Sequence, residues 1–131
     1  MLRELSRYIE QPIIFALSNP TPKVECTPEE AIRWTDGRAI IAKGSAFEPV
    51  RCREQPRVIG KANNVYVFPG GGIGCILSRA SVIQDRLFLT SAWQLAEMVP
   101  QSRLEVGAIY PDQRELRSVA AHIAEAVNRG G

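Results

Sequence analysis

The sequence has no long apolar run. None of its apolar stretches approaches the roughly 18 to 20 residues needed to cross a bilayer. The N-terminal residues, Met1 to Leu5, also lack the apolar core of a signal peptide. We therefore expect no membrane partner and a cytoplasmic location.

Neither sign of charge predominates. Sixteen Lys and Arg residues stand against fourteen Asp and Glu residues, which gives a net charge of +2 at pH 7, and the arginines are scattered along the chain. Because domains that bind nucleic acid carry clustered basic residues, we expect no nucleic-acid partner.

Cysteine and histidine are scarce. The three cysteines, Cys26, Cys52 and Cys75, lie far apart without a C-x-x-C pair, and His122 is the single histidine. We expect free thiols in a reducing compartment, because the count is odd and the chain does not resemble a small disulfide scaffold. No usual ligand spacing for zinc can be assembled from these residues.

The apolar fraction of 45% in 131 residues is sufficient for one domain with its own core, and we expect residues 1–131 to form it. Leu2, Leu5 and Ile9 recur at helical spacing, so residues 1–9 predict the last turns of a helix. A domain that begins in this way and passes directly into a central strand is expected to be a fragment.

Two short apolar runs, Ile13 to Leu17 and Ala39 to Ala42, each stop abruptly at polar residues. Between them lies a helix start, in which Thr27 can cap, Pro28 fits the first helical position and Glu30 completes a capping box. Strand, helix and strand within about thirty residues predict a βαβ unit and a parallel sheet.

The polar residues after the first run are candidates for a site. Ser18 and Asn19 follow the predicted strand directly, and Lys43 with the next two residues follows the second strand. In open α/β sheets, ligands bind outside the carboxyl ends of the strands. This pattern therefore predicts that Ser18 and Asn19 face a ligand.

The rest of the chain is less regular until the C-terminal half. Residues 47–60, with two prolines and several arginines, predict an irregular surface segment. Apolar residues at helical spacing predict one helix from Asp85 to Val99 and another from Leu116 to Val127. His122 falls outside the apolar stripe of the last helix, which favours a solvated position over a catalytic one.

A glycine cluster, Pro69-Gly70-Gly71-Gly72-Ile73-Gly74, allows two interpretations. The first interpretation is a strand over residues 65–68 followed by a phosphate-binding turn. However, the second strand and the acidic residue of a dinucleotide fingerprint are missing. In the other, Asn63 or Asn64 caps a helix that begins near Val65, and the glycines allow this helix to pack closely on a neighbour. The remaining asparagine could then bind a ribose hydroxyl, a carboxamide or a carboxylate.

Several strings follow one another along nearly the whole sequence, namely Pro12-Ile13-Ile14-Phe15-Ala16-Leu17-Ser18-Asn19-Pro20-Thr21, Glu25-Cys26-Thr27 with Glu29-Glu30-Ala31, Thr35-Asp36-Gly37-Arg38-Ala39, Gly44-Ser45-x-Phe47, Asn63-Asn64-x-Tyr66-x-Phe68-Pro69-Gly70 and Ala108-Ile109-Tyr110-Pro111. In this order and at this approximate spacing they resemble the C-terminal part of the NAD-binding domain of malic enzymes.

The resemblance implies an α/β fold, a partial Rossmann-like, doubly wound parallel sheet with C-terminal helices. It implies oxidative decarboxylation of malate to pyruvate and CO2, with NAD or NADP, a divalent cation (Mg or Mn) and a homo-oligomeric full-length enzyme. Ser18, Asn19 and Asn63 are implied to bind the cofactor, with Asn19 at the nicotinamide riboside, and Asn63 and Asn64 are implied to bind substrate.

The resemblance is not complete. Lys61 and Ala62 replace the Gln-Gly that usually precedes the paired asparagines, Ala46 replaces a proline, and Asp112 replaces the second proline of Tyr-Pro-Pro. The catalytic lysine and tyrosine, the metal-binding carboxylates and the dinucleotide loop of the family all precede this region, so the chain alone is expected to be inactive. The alternative is an inactive binding or oligomerisation module, and the preference for NAD or NADP stays open.

Overall fold

The computed structural model describes residues 1–18, 23–52 and 55–130. These residues form two compact units, Met1–Asn63 with Gln101–Tyr110, and Asn64–Pro100 with Pro111–Gly131. In chain order the elements are α1 (Leu2–Tyr8), β1 (Ile13–Ala16), α2 (Pro28–Trp34), β2 (Ile40–Lys43), β3 (Val50–Cys52), β4 (Gln55–Arg57), β5 (Gly60–Lys61), a 3-10 turn (Asn64–Tyr66), α3 (Phe68–Leu77), α4 (Asp85–Glu97), α5 (Gln101–Glu105), a second 3-10 turn (Gln113–Glu115) and α6 (Leu116–Gly130).

The first unit is built on a parallel sheet of three strands in the order β1-β2-β5. Ile13 pairs with Ile40, and Ala42 pairs with Gly60. In β1, Ile14 and Ala16 are buried while Ile13 and Phe15 are exposed, whereas β2 is buried from Ile41 to its last residue. The mixed α/β fold with a parallel sheet and helices confirms the prediction of a partial Rossmann-like fold.

The connection between β1 and β2 contains the predicted helix. Thr27 Oγ1 accepts a hydrogen bond from the Glu30 amide (3.2 Å), and the Glu30 carboxylate accepts one from the Thr27 amide (2.9 Å), which completes the capping box at the start of α2. The helix ends at a left-handed turn in which Gly37 has a φ of 78°. This crossover makes the parallel pairing of β1 with β2 possible.

Thr35 joins the end of α2 to the start of β2. Its buried hydroxyl donates to the Ala31 carbonyl (2.8 Å) and accepts from the Ala39 amide (3.1 Å). Both partners are main-chain groups whose burial without a hydrogen bond would be costly. The side chain therefore holds the helix and the central strand in one arrangement.

The prediction of an irregular segment over residues 47–60 was wrong in part. β3 and β4 pair antiparallel, with Val50 opposite Arg57, and the two residues of β5 add to the free side of β2. These strands are too short and too polar for an alternating or apolar pattern to show in the sequence. The core of this unit combines side chains of the βαβ unit with two from residues 47–60, and its members are Ile14, Ala16, Cys26, Ala31, Ile32, Ala39, Ile41, Val50 and Ile59.

The second unit consists of helices. α4 and α6 confirm the two predicted C-terminal helices, and Val119, Ile123, Ala124 and Val127 form the buried stripe of α6. His122 is exposed, as predicted, and its Nδ1 lies 2.8 Å from the Ser118 carbonyl oxygen.

The glycine cluster lies inside α3, so a strand over residues 65–68 does not form. Gly70 and Gly74 face α6, where each approaches the side chains and backbone of that helix. A helix through the glycines with close packing on a neighbour was the second interpretation of the sequence, and it is confirmed. The helix begins at Phe68 and not near Val65, and its N-cap residue is Val67, without a side-chain cap. The prediction that Asn63 or Asn64 caps this helix was therefore wrong.

Candidate functional site

The carboxyl ends of the three parallel strands lie at one edge of the sheet in the first unit. Ala16, Lys43 and Lys61 are lateral neighbours in the strand register. Ser18 and Asn63 each follow two residues after one of these strand ends, as Ser45 does after the central strand. The edge at which open α/β sheets bind ligands therefore carries hydroxyl and amide side chains from three separate segments.

Ser18 is exposed at the end of β1, and its hydroxyl donates a hydrogen bond of 2.5 Å to Oε1 of Glu25. This hydrogen bond is the main reason why the pKa of the exposed Glu25 carboxyl lies below its ordinary value. Backbone N–H groups and the positive charge of Lys43 lower it further. Ser18 is thus held beside a stable negative charge.

The predicted ligand Asn19 lies outside the described residues. Asn63 is exposed and lies two residues after β5. Between them, the Ala62 amide donates to the Lys43 carbonyl (2.8 Å) and prolongs the sheet ladder. Asn64 is the first residue of the second unit, is exposed and begins the first 3-10 turn. Among the described candidates, the structure brings Ser18 and Asn63 to the same edge.

Lys43 is the residue of this edge that the sequence reasoning did not single out. It is the last residue of β2, it is fully buried, and its Nζ donates to the Cys26 carbonyl (2.9 Å). The ammonium also lies 5.4 Å from the ring centroid of Phe47. The only signal in the sequence was a lysine that directly continues the apolar run Ile40-Ile41-Ala42.

The two departures before the paired asparagines lie on the same edge. Lys61 and Ala62 are half-buried, and Lys61 pairs with Lys43 in the register of β2 and β5. Two lysines thus stand next to each other at the ends of neighbouring strands. This arrangement makes the surroundings of Asn63 more positive than neutral side chains would.

Tyr66, from the asparagine motif, and Pro111, from the last motif, meet in the second unit. The buried Tyr66 hydroxyl donates to the Pro111 carbonyl, with 2.9 Å between the oxygens. A buried hydroxyl needs such a partner. These two motif residues therefore support the structure and need no ligand to explain their presence.

The donor and acceptor chemistry of the edge fits one end of a dinucleotide. The Asn63 amide can both donate and accept hydrogen bonds, as a carboxamide or a ribose requires. No group of three or more His, Cys, Asp or Glu residues comes together within residues 1–18, 23–52 and 55–130. Over the same residues, no helix is both long and apolar enough to cross a membrane.

The chain is similar to known proteins over nearly its whole length. A family model described as "Malic enzyme, NAD binding domain" matches residues 1–130. An NADP-dependent malic enzyme of Dictyostelium discoideum is 42% identical over 127 residues, which are 97% of this chain and 23% of the relative. A chloroplastic NADP-dependent malic enzyme of Flaveria pringlei is 44% identical over 127 residues, with coverages of 97% and 20%.

An NAD-dependent malic enzyme of Pseudomonas syringae pv. syringae is 43% identical over 129 residues, which are 98% of this chain and 23% of the relative. The chain thus spans about a fifth of the length of these relatives. Relatives of both cofactor types match the same region. The chain belongs to the malic enzyme family, an oxidoreductase family, and corresponds to its NAD-binding domain.

Proposed function

We propose that this chain provides the nicotinamide side of the cofactor site in an NAD(P)-dependent malic enzyme. The full reaction is the oxidation of malate followed by decarboxylation to pyruvate and CO2. The observation that carries this proposal is the edge of the parallel sheet, where Ser18 and Asn63 follow aligned strand ends. Residues 1–131 then form the C-terminal part of the cofactor domain.

The candidate side chains act by binding and orientation. We assign Asn19 to the nicotinamide riboside, Asn63 to the nicotinamide or the substrate, and Asn64 to malate, with Ser18 beside the cofactor. When bound, the dinucleotide supplies the hydride acceptor of the reaction. Amide side chains suit this position because they fix the acceptor against C2 of malate without adding charge.

The acid-base groups and the divalent cation, Mg or Mn, are assigned to parts of the enzyme outside these residues. The described residues offer no cluster of carboxylates for that cation. For the same reason we expect the 131-residue chain to be inactive by itself. We propose a homo-oligomeric enzyme in the cytoplasm, although the Flaveria pringlei relative is chloroplastic.

The test uses the full polypeptide that is encoded by the reading frame containing this chain. The purified protein is supplied with malate, MgCl2 and either NAD or NADP, and reduced dinucleotide and pyruvate are measured. We expect equal amounts of both products with at least one dinucleotide, and no reduction when malate is omitted. If neither dinucleotide is reduced, the enzymatic proposal is wrong.

A second candidate is an inactive binding or oligomerisation module. It is favoured by large apolar side chains that are exposed in the second unit, including Ile76 (77%), Leu89 (70%) and Trp93 (64%). Exposed apolar patches of this kind mark interaction surfaces. Size-exclusion chromatography of the chain tests the module, because a monomer would contradict it. Calorimetric titration with NAD then separates residual cofactor binding from none.

A further inference from the structure

Lys43 is a buried cation at the carboxyl end of the central strand. Its side chain has no exposure, and burial of an ammonium is costly unless hydrogen bonds and opposite charges compensate for it. The Cys26 carbonyl accepts a hydrogen bond from Nζ (2.9 Å), and the ring of Phe47 lies below the charge. A buried lysine of this kind is unnecessary for packing, since an apolar side chain would fill the space at lower cost.

The same residue is bonded to the two segments that follow β1 and β5. Its side chain holds Cys26, in the connection that carries Ser18 and Asn19, and its main-chain carbonyl accepts from the Ala62 amide (2.8 Å), next to Asn63. The main-chain bond would survive any substitution. The side-chain bond depends on the ammonium, so only the segment after β1 depends on which residue stands at position 43.

The charge of Lys43 also acts on the neighbour of Cys26. Glu25 feels this charge, and its carboxylate accepts the hydrogen bond from Ser18. The Lys43 ammonium bonds to the Cys26 carbonyl, and the adjacent Glu25 bonds to the Ser18 hydroxyl, so these groups form a series that ends at Ser18. Each member limits the positions that the next can take.

We infer that Lys43 is a positioning residue for the cofactor site. Its ammonium fixes Cys26 and, through the adjacent Glu25, Ser18, while the buried side chain does not touch the cofactor. The inference rests on the proposed function, because it assigns the site that is positioned. Loss of the ammonium should weaken dinucleotide binding with little effect on the rate of the bound complex.

The first test compares Lys43→Met with Lys23→Met in the full polypeptide. Lys23 is an exposed lysine of the same connection, so its replacement removes an equal charge without breaking a buried contact. We expect the KM for the dinucleotide to rise about tenfold in Lys43→Met, since a hydrogen bond from a charged group is lost. The kcat should stay within about threefold, and Lys23→Met should leave both constants unchanged. An unchanged KM for the dinucleotide in Lys43→Met would overturn the inference.

A second measurement uses amide hydrogen exchange in the chain itself and does not depend on activity. Lys43→Met should speed exchange in residues 23–27 relative to Lys23→Met, while β1 and β2 keep their protection. If the wild-type enzyme reduces neither dinucleotide, the proposed function fails, and exchange alone decides whether Lys43 holds the connection. Equal amide exchange of residues 23–27 in the two variants would also overturn the inference that Lys43 holds this connection.

If Lys43→Met does not fold, Glu25→Gln provides the variant, with Glu29→Gln as its control, because both glutamates are exposed. Glu25→Gln removes the carboxylate that accepts the Ser18 hydrogen bond. Glu25→Gln should raise the KM for the dinucleotide by less than Lys43→Met does. Glu29→Gln should leave this KM unchanged. Equal KM values in both glutamine variants would contradict the series from Lys43 to Ser18.

Discussion

Gly74 lies so close to Val127 that a Cβ on the glycine would stand 2.6 Å from the Cβ of the valine. One turn earlier on α3, Gly70 approaches Ile123 in the same way, with a Cβ to Cβ separation of 2.7 Å. Gly72, on another face of α3, meets no atom within 4 Å. The glycines at positions 70 and 74 thus allow α3 to pack on α6, and they are not a phosphate-binding turn.

Gly74→Ala should therefore destabilise the protein. The added methyl group must push Val127 away, and overpacking of this kind costs about 1 to 3 kcal/mol, which exceeds the gain of about 0.5 to 1 kcal/mol from replacing a helical glycine. The free energy of unfolding, measured in urea, should fall. Gly72→Ala is the matched control, and it should raise this free energy. Equal stability of the two variants would contradict the packing of α3 on α6.

Thr35→Val should destabilise the first unit by about 1 to 3 kcal/mol, because the Ala39 amide would be left buried without a partner. Valine has nearly the same shape, so the change isolates the hydroxyl. Thr35→Ser keeps the hydroxyl, so its free energy of unfolding should fall by less than that of Thr35→Val. Urea unfolding of the wild type and the two variants measures the difference in stability. A valine variant as stable as the wild type would contradict a stabilising role of the hydroxyl.

Local signals in the sequence were enough to predict α2 and the two strands on either side of it. The capping box of Thr27 and Glu30 and the apolar runs are determined by neighbouring residues. β5 could not be predicted, because its two residues become a strand only through pairing with Ala42 and Lys43. The packing role of the glycines on α3 likewise depends on contacts with α6, which the local sequence does not show.

Ser18→Ala should raise the pKa of Glu25 toward its ordinary value. The Ser18 hydroxyl is the largest cause of the lowered pKa, and it stabilises only the charged carboxylate. NMR titration of the Glu25 carboxyl in the wild type and in Ser18→Ala measures the shift. Ser6→Ala removes a hydroxyl that bonds to the Arg3 carbonyl, and it serves as the control. Identical titration of all three proteins would contradict the Ser18 to Glu25 hydrogen bond.

The lowered pKa of Glu25 also fixes the direction of a pH effect. A carboxyl whose pKa is lower in the folded state than in the unfolded chain contributes stability above the unfolded pKa and loses it as the pH falls through the folded pKa. The stability difference between the wild type and Ser18→Ala should therefore be present near neutral pH and shrink in acid below the ordinary range of glutamate. If the stability difference between the wild type and Ser18→Ala grows on acidification, the lowered pKa of Glu25 is contradicted.

Cys26 should react more slowly with iodoacetamide than Cys52 and Cys75. Its side chain is buried, and burial raises the pKa of its thiol, so less of the reactive thiolate is present. Mass spectrometry of partially alkylated protein should show Cys52 and Cys75 modified first. In urea the three rates should converge, and equal rates in the folded protein would contradict the burial of Cys26.

The placement of the candidate residues could be predicted in outline because strand ends and asparagines are visible in the sequence. Ser18 and Asn63 were both candidates, and the parallel register explains how residues so distant in the chain reach one edge. Lys43 could not be recognised, because a lysine after an apolar run usually reaches solvent. Its burial depends on the Cys26 carbonyl and the Phe47 ring, which the fold brings to it.

The most direct test of the account is the effect of Asn63→Ala on malate-dependent reduction of the dinucleotide by the full polypeptide. Asn128, an exposed asparagine on α6, provides the control variant Asn128→Ala. We expect the KM for the dinucleotide or for malate to rise by about tenfold or more in Asn63→Ala, as loss of a buried hydrogen bond to a ligand implies, and to be unchanged in Asn128→Ala. Wild-type KM values in Asn63→Ala, with unchanged kcat, would contradict a cofactor and substrate site at this edge of the sheet.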